Sequence, residues 1–132
     1  MELSWQKPLH AKVTAVTVSE PFHVFAVEPS IVTDTPAEYK RHAAALASKY
    51  LQAAKDAATA ASVPCDVVQV EHEHPYEAII NTARKSGCNA IVMASHGRRG
   101  VSAVVLGSET VKVLTHSTIP VVVVRAAYVA HL

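Results

Sequence analysis

The chain alternates short β-branched runs with longer segments of helical period, and this order constrains its fold more than any other feature. The short runs are "AKVTAVTVSEP" (11–21), "CDVVQVEHEH" (65–74), "NAIVMAS" (89–95) and "IPVVVVRA" (119–126). In the first, Val13, Ala15 and Thr17 alternate with Thr14, Val16 and Val18, and both sets are apolar or β-branched. Such a strand suits burial on both faces, as in a parallel sheet. Pro21 ends it, and residues 22–33 read as a loop because "FHVFAV" lacks hairpin turn chemistry.

Between the strands the period changes. In "DTPAEYKRHAAALASKYLQAAKDAATAAS" (34–62) Thr35 is expected to cap a helix, with Pro36 at its first position and Glu38 completing a capping box. Tyr39, Ala43, Leu46, Tyr50, Ala54, Ala57 and Ala61 form the expected inward stripe, and Pro64 closes the segment. Pro75 opens a second helix through Tyr76, Ala78, Ile79, Ile80 and Ala83, with Gly87 as its C-cap. "SETVKVLTHS" (108–117) reads as a third helix, capped by Ser108. The resulting order predicts an α/β fold, a mostly parallel sheet with helices on both faces in three layers. Right-handed crossovers then put the ligand crevice at the carboxyl ends of the strands.

At 132 residues the chain has one domain's length, 1–132. Apolar residues make up 50% and charged residues 17%, which excludes a disordered chain. A net charge of +1 supplies no general field for nucleic acid or an acidic membrane. "MELSWQKPLH" has no apolar run of signal-peptide length, and no stretch reaches the roughly 20 apolar residues of a membrane helix. Cys65 and Cys88 stand in no metal or redox spacing and read as reduced thiols of a cytoplasmic protein.

The segment "MASHGRRGVSAVVLGSETVKVL" (93–114) leaves the carboxyl end of a strand and leads into a helix. Gly97 and Gly100 permit positive φ and close approach of a ligand to backbone N–H groups. Gly107-Ser108 stands at a helix start, where unpaired N–H groups and the helix dipole favour an anion. Arg98 and Arg99 add positive charge at the rim, while Glu109, expected at the first helical position, brings a negative one. The same residues also fit a purely conformational corner with Ser108 capping its own helix. The segment has neither the Gly-Lys-Ser/Thr of a P-loop nor the three-glycine turn of a dinucleotide fold after the first strand.

"IVMASHGRRGVSAVVLGSETVKVLTHSTIPVVVVR" strongly resembles the carboxyl half of the universal stress protein family, and the likeness extends over about residues 11–125. Nucleotide-binding members of that family carry Gly, two residues, Gly, nine residues, Gly, then Ser or Thr. Here the second glycine is Gly97, and nine residues, Arg98 to Leu106, lead to Gly107 and then Ser108. The resemblance implies an adenine-nucleotide alpha-hydrolase-like fold and a small regulatory binding module, not an enzyme, with slow ATP hydrolysis left open. It implies ATP or another adenine nucleotide as ligand, with Mg accompanying it. Val18 and Met93 would then line the adenine and ribose side, and Gly97, Gly107 and Ser108 would hold phosphates. With Ala94, Arg98 and Glu109 these make up the candidate nucleotide-binding set. A homodimer is the expected partner state, paired through the last strand or by strand exchange.

Two departures from the family pattern stand out. Ala94 occupies the place of the first motif glycine, where, by the resemblance, its methyl group would crowd the ribose or phosphate unless a small residue is tolerated there. The strand at 11–21 resembles the family's second, yet only ten residues precede it. The usual first strand–helix unit, with its acidic residue at the nucleotide, is therefore expected to be lacking. A lost charged hydrogen bond of that kind costs about 1.5–3 kcal/mol, which predicts weakened ATP affinity. The alternative function is a nucleotide-independent dimeric interaction protein on the same fold, its site degenerate.

Of the eight histidines, His72 and His74 are expected on one face of a strand end, where with Glu71, Glu73 or His96 they are weak candidates for a metal site. A solvated strand end with locally bonded imidazoles is the preferred reading. No Ser-His-Asp or Cys-His arrangement has motif support.

Overall fold

A computed structural model describes residues 10–21, 35–95 and 106–125. Its elements are β1 (Val13–Ser19), α1 (Pro36–Ala60), β2 (Cys65–Glu71), α2 (Pro75–Lys85), β3 (Ile91–Ala94), α3 (Ser108–His116) and β4 (Val121–Val124). This is the α/β alternation expected from the sequence. The described residues fall into two compact units, one ending at Glu73 and the other beginning at His74.

In the first unit β1 and β2 pair in parallel, with Val13 opposite Cys65 and Val18 opposite Val70. The Val13 N–H donates to the Pro64 carbonyl at 2.9 Å, and the His72 N–H to the Ser19 carbonyl at 3.0 Å, extending the ladder at both ends. Lys12 and Asp66 meet at 2.6 Å near its start, and both are exposed. Such a pair contributes little.

The capping box of α1 forms as expected. Thr35 Oγ1 accepts from the Glu38 N–H at 3.1 Å, and Glu38 Oε2 accepts from the Thr35 N–H at 3.3 Å. The Tyr39 hydroxyl donates to the Glu20 carbonyl at 2.8 Å, tying the first turn of α1 to the end of β1. The buried stripe departs from the expected one. Ala47 and Ala58 are buried, with Ala43, Leu51 and Ala54 half-buried beside them, whereas Leu46 and Tyr50 are exposed. Small side chains fill the buried positions of α1, and a methyl group takes up little room there, whereas Leu46 and Tyr50 lie off that stripe.

α1 ends at Ala60, four residues before Pro64. Ser62 takes φ +57°; its N–H donates to the Thr59 carbonyl at 3.0 Å, and the Val63 N–H donates to the Ala58 carbonyl at 2.8 Å. This is a Schellman ending, and Ala58 and Val63 supply its hydrophobic contact. α2 ends by the same device. Ser86, not Gly87, is the C-cap; Gly87 follows at φ +67°, and the Cys88 N–H donates to the Ala83 carbonyl at 2.9 Å.

In the second unit β3 and β4 pair in parallel, Ile91 opposite Val121 and Ala94 opposite Val124. Ile80, Ala83, Ile91 and Val113 form its core, with Tyr76, Ile79, Cys88, Met93, Ile119 and Val121 packed around them. Val113 is fully buried. Burying a side chain of this size contributes about 1.5–3 kcal/mol. Among the described residues each ladder is two-stranded.

Candidate functional site

The carboxyl end of β3 and the first turn of α3 meet in the second unit, held by two hydrogen bonds. The Gly107 N–H donates to the Ser95 carbonyl at 2.7 Å. The Thr110 hydroxyl donates to the Ala94 carbonyl at 2.9 Å, from a side chain only 2% exposed. The Ser95 N–H donates in turn to the Val124 carbonyl at 2.6 Å, which anchors the junction to β4. The residues that bracket segment 96–105 are thereby clasped at one end of the β3–β4 ladder.

The first intrahelical bond of α3 runs from the Val111 N–H to the Gly107 carbonyl, 3.1 Å. Four N–H groups at such a helix start have no partner within the helix. That of Gly107 is spent on Ser95. Those of Ser108, Glu109 and Thr110 have no backbone acceptor among the described residues. Together with the helix dipole they give the start of α3 a positive end that favours an anion.

Ser108 does not cap this helix. Gly107 is the N-cap, with φ −62° and ψ 152°, and Ser108 is the first helical residue. Its side chain is exposed, and its hydroxyl has no hydrogen-bond partner among the described residues. The N-cap falls one residue earlier than expected because Gly107 has the extended backbone and its carbonyl accepts the first helical bond, from the Val111 N–H. The φ of Gly107 is open to any residue, so left-handed backbone is not what calls for glycine here.

Glu109 is the second helical residue, not the first. Its carboxylate points to a different helix. Oε2 accepts from the Tyr76 N–H at 2.9 Å, and Oε1 lies 3.5 Å from Lys112 Nζ. Tyr76 stands in the first turn of α2, whose own N-cap, His74, makes no side-chain cap bond. Glu109 fills that role from α3. Around it the Tyr76 ring meets His116 at 5.0 Å and His74 at 6.3 Å between centroids. Lys112 Nζ lies 5.7 Å from its centroid. The Tyr76 hydroxyl donates to Glu77 Oε1 at 3.1 Å. This bond raises the phenol's pKa above its ordinary value, aided by desolvation and by the charges of Glu77 and Glu109.

The remaining candidates are distributed as follows. Val18 is half-buried on β1 in the first unit, opposite Val70. Met93 packs against the Ile80–Val113 core, on the same side of β3 as Ile91. Ala94 engages the site through its carbonyl. Gly97 and Arg98, with His96, Arg99 and Gly100, lie outside the described residues. His72 and His74 do not share a strand face, because β2 stops at Glu71 and His74 opens α2. Among the described residues no three His, Cys, Asp or Glu side chains are grouped to hold a metal ion. The sequence reading overlooked Thr110 and Tyr76. A buried hydroxyl bonded to a strand carbonyl, and a backbone N–H capped from another helix, leave no periodic trace in sequence.

The sequence pattern of the universal stress protein family matches residues 6–125. Universal stress protein YxiE of Bacillus subtilis is 36% identical over 77 residues, covering 58% of this chain and 51% of that protein. Universal stress protein MJ0577 of Methanocaldococcus jannaschii is 39% identical over 51 residues, covering 39% of this chain and 32% of that protein. These alignments therefore span about half or less of the relatives' length. The solved structure of MJ0577 superposes with a TM-score of 0.68 at 25% identity, covering 86% of this chain and 75% of that one. Neither relative is named for a reaction. Among the described residues no helix is long and apolar enough to cross a membrane.

Proposed function

Since this chain belongs to the universal stress protein family, we propose that it works as a small nucleotide-responsive binding module and takes ATP or another adenine nucleotide at the start of α3. One observation carries the reading. The N–H groups of Ser108, Glu109 and Thr110 have no backbone acceptor among the described residues, and the same helix start, beside the clasped end of β3, carries the exposed Ser108 hydroxyl. A donor set of backbone amides and one hydroxyl fits phosphate oxygens. The spacing from Gly97 to Gly107-Ser108 supports the same reading. Phosphates held there would strengthen the first turn of α3, and any difference in their affinity for two dimer arrangements would shift the balance between those arrangements. Calorimetric titration with MgATP tests this. Saturable binding below millimolar ligand is expected, and its absence in folded protein removes the proposal.

Two observations favour a second reading, a nucleotide-independent dimeric interaction protein. The Gly107 amide is already committed to Ser95, and Ala94 stands where the family motif has glycine. The nucleotide content and mass of the protein as purified separate the two. Bound nucleotide supports the first reading; a nucleotide-free dimer supports the second.

A further inference from the structure

One carboxylate serves two helix starts. Glu109 sits in the first turn of α3, among the three N–H groups that would receive a phosphate, yet its oxygens lie on the Tyr76 N–H and near Lys112. A negative side chain in a first turn is attracted by the same partial charge that attracts a bound anion. The two therefore compete, and the more negative the ligand, the more the carboxylate opposes it. The Tyr76 N–H holds the carboxylate by a charge-assisted bond at 2.9 Å, and the Lys112 ammonium at 3.5 Å offsets part of its charge. The side chain is about one-third exposed, so solvent screens the effect without abolishing it.

From this we infer that Glu109 is a specificity-determining residue, which sets how much negative charge the anion site at the start of α3 accepts. The inference rests on the nucleotide reading above and adds a ranking to it. Glu109 penalises a triphosphate more than a diphosphate, and a diphosphate more than a monophosphate. Lys112 moderates the penalty. A residue that acted only on folding would weaken or strengthen all three ligands alike.

The test measures the affinities of ATP, ADP and AMP for the full chain, its Glu109→Gln variant and its Lys112→Gln variant, at low and at high salt. Glutamine keeps an oxygen for the Tyr76 N–H, so the variant is expected to melt close to the parent. Its ATP affinity should rise about two- to thirtyfold, less for ADP and least for AMP. The gain should shrink as salt is raised. Lys112→Gln should lower affinity in the same charge order. It removes only an exposed side chain, so it keeps the test available if Glu109→Gln folds poorly. If the parent binds and the variants change nothing, or change all three ligands by one factor, the inference is overturned and the nucleotide reading stands. If only Glu109→Gln binds, Glu109 bars the anion altogether, and the nucleotide reading of the parent chain falls together with the ranking. If neither binds at millimolar ligand, both fall.

Discussion

The Thr110 hydroxyl donates to the carbonyl of Ala94 at 2.9 Å, across a segment that leaves the strand and returns as a helix. With the Gly107–Ser95 bond it makes the helix start a continuation of the strand end rather than a separate element. Replacing Thr110 with valine keeps the shape and deletes the donor, leaving a strand-end carbonyl unpaired. A loss of about 1–2 kcal/mol is expected in denaturant unfolding. Hydrogen exchange at the Gly107 amide should accelerate beyond the global change, because the clasp loosens first.

Gly107 separates conformation from contact. Its backbone suits any residue, so Gly107→Val should leave the chain folded, with a loss of about 1 kcal/mol as the poorer N-cap. MgATP binding should nevertheless disappear in calorimetry. Retained affinity would take Gly107 out of the phosphate site.

The two Schellman endings share left-handed backbone, so adding a glycine at one and removing it at the other should have opposite effects. Ser62 occupies left-handed backbone where glycine is at ease, so Ser62→Gly should stabilise the chain by about 0.5–1 kcal/mol. A Cβ added at Gly87 meets nothing within 4 Å. Gly87→Ala should therefore cost only the backbone strain, about 1 kcal/mol. Each shift corresponds to roughly 2–5 °C in melting temperature.

Tyr76 should ionise late. Its phenol donates to Glu77, which favours the neutral form in the folded chain. The associated stability is complete below the ordinary tyrosine value, about 10, and is lost as pH rises through the higher folded value. Ultraviolet titration of the parent minus Tyr76→Phe should isolate this late step. Glu77→Gln should move it down; an unmoved step would mean that Glu77 is not its cause.

Much of this fold could be read from residue order. Thr35, Pro36 and Glu38 announced the start of α1 because a capping box is written in three local positions. The β-branched runs announced all four strands because their period is local as well. Their bounds were less legible. Nothing in the letters says that β2 stops at Glu71, since that depends on where β1 ends beside it. Ser62 was invisible for a related reason: a serine in left-handed backbone is held there by Ala58 and Val63, not by its own preference. At the site, the Gly107-Ser108 start of α3 was legible as a motif. The destination of Glu109 was not, because its partner lies thirty-three residues away on another helix.

The Ser95–Gly107 clasp also bears on how the chain tolerates change. Its strand and helix are joined by their own hydrogen bonds, so the stretch between them need not set their spacing. The register of strand end against helix start is thus written in main-chain and hydroxyl contacts of Ala94, Ser95, Gly107 and Thr110 themselves, and it survives any side-chain replacement that spares those four.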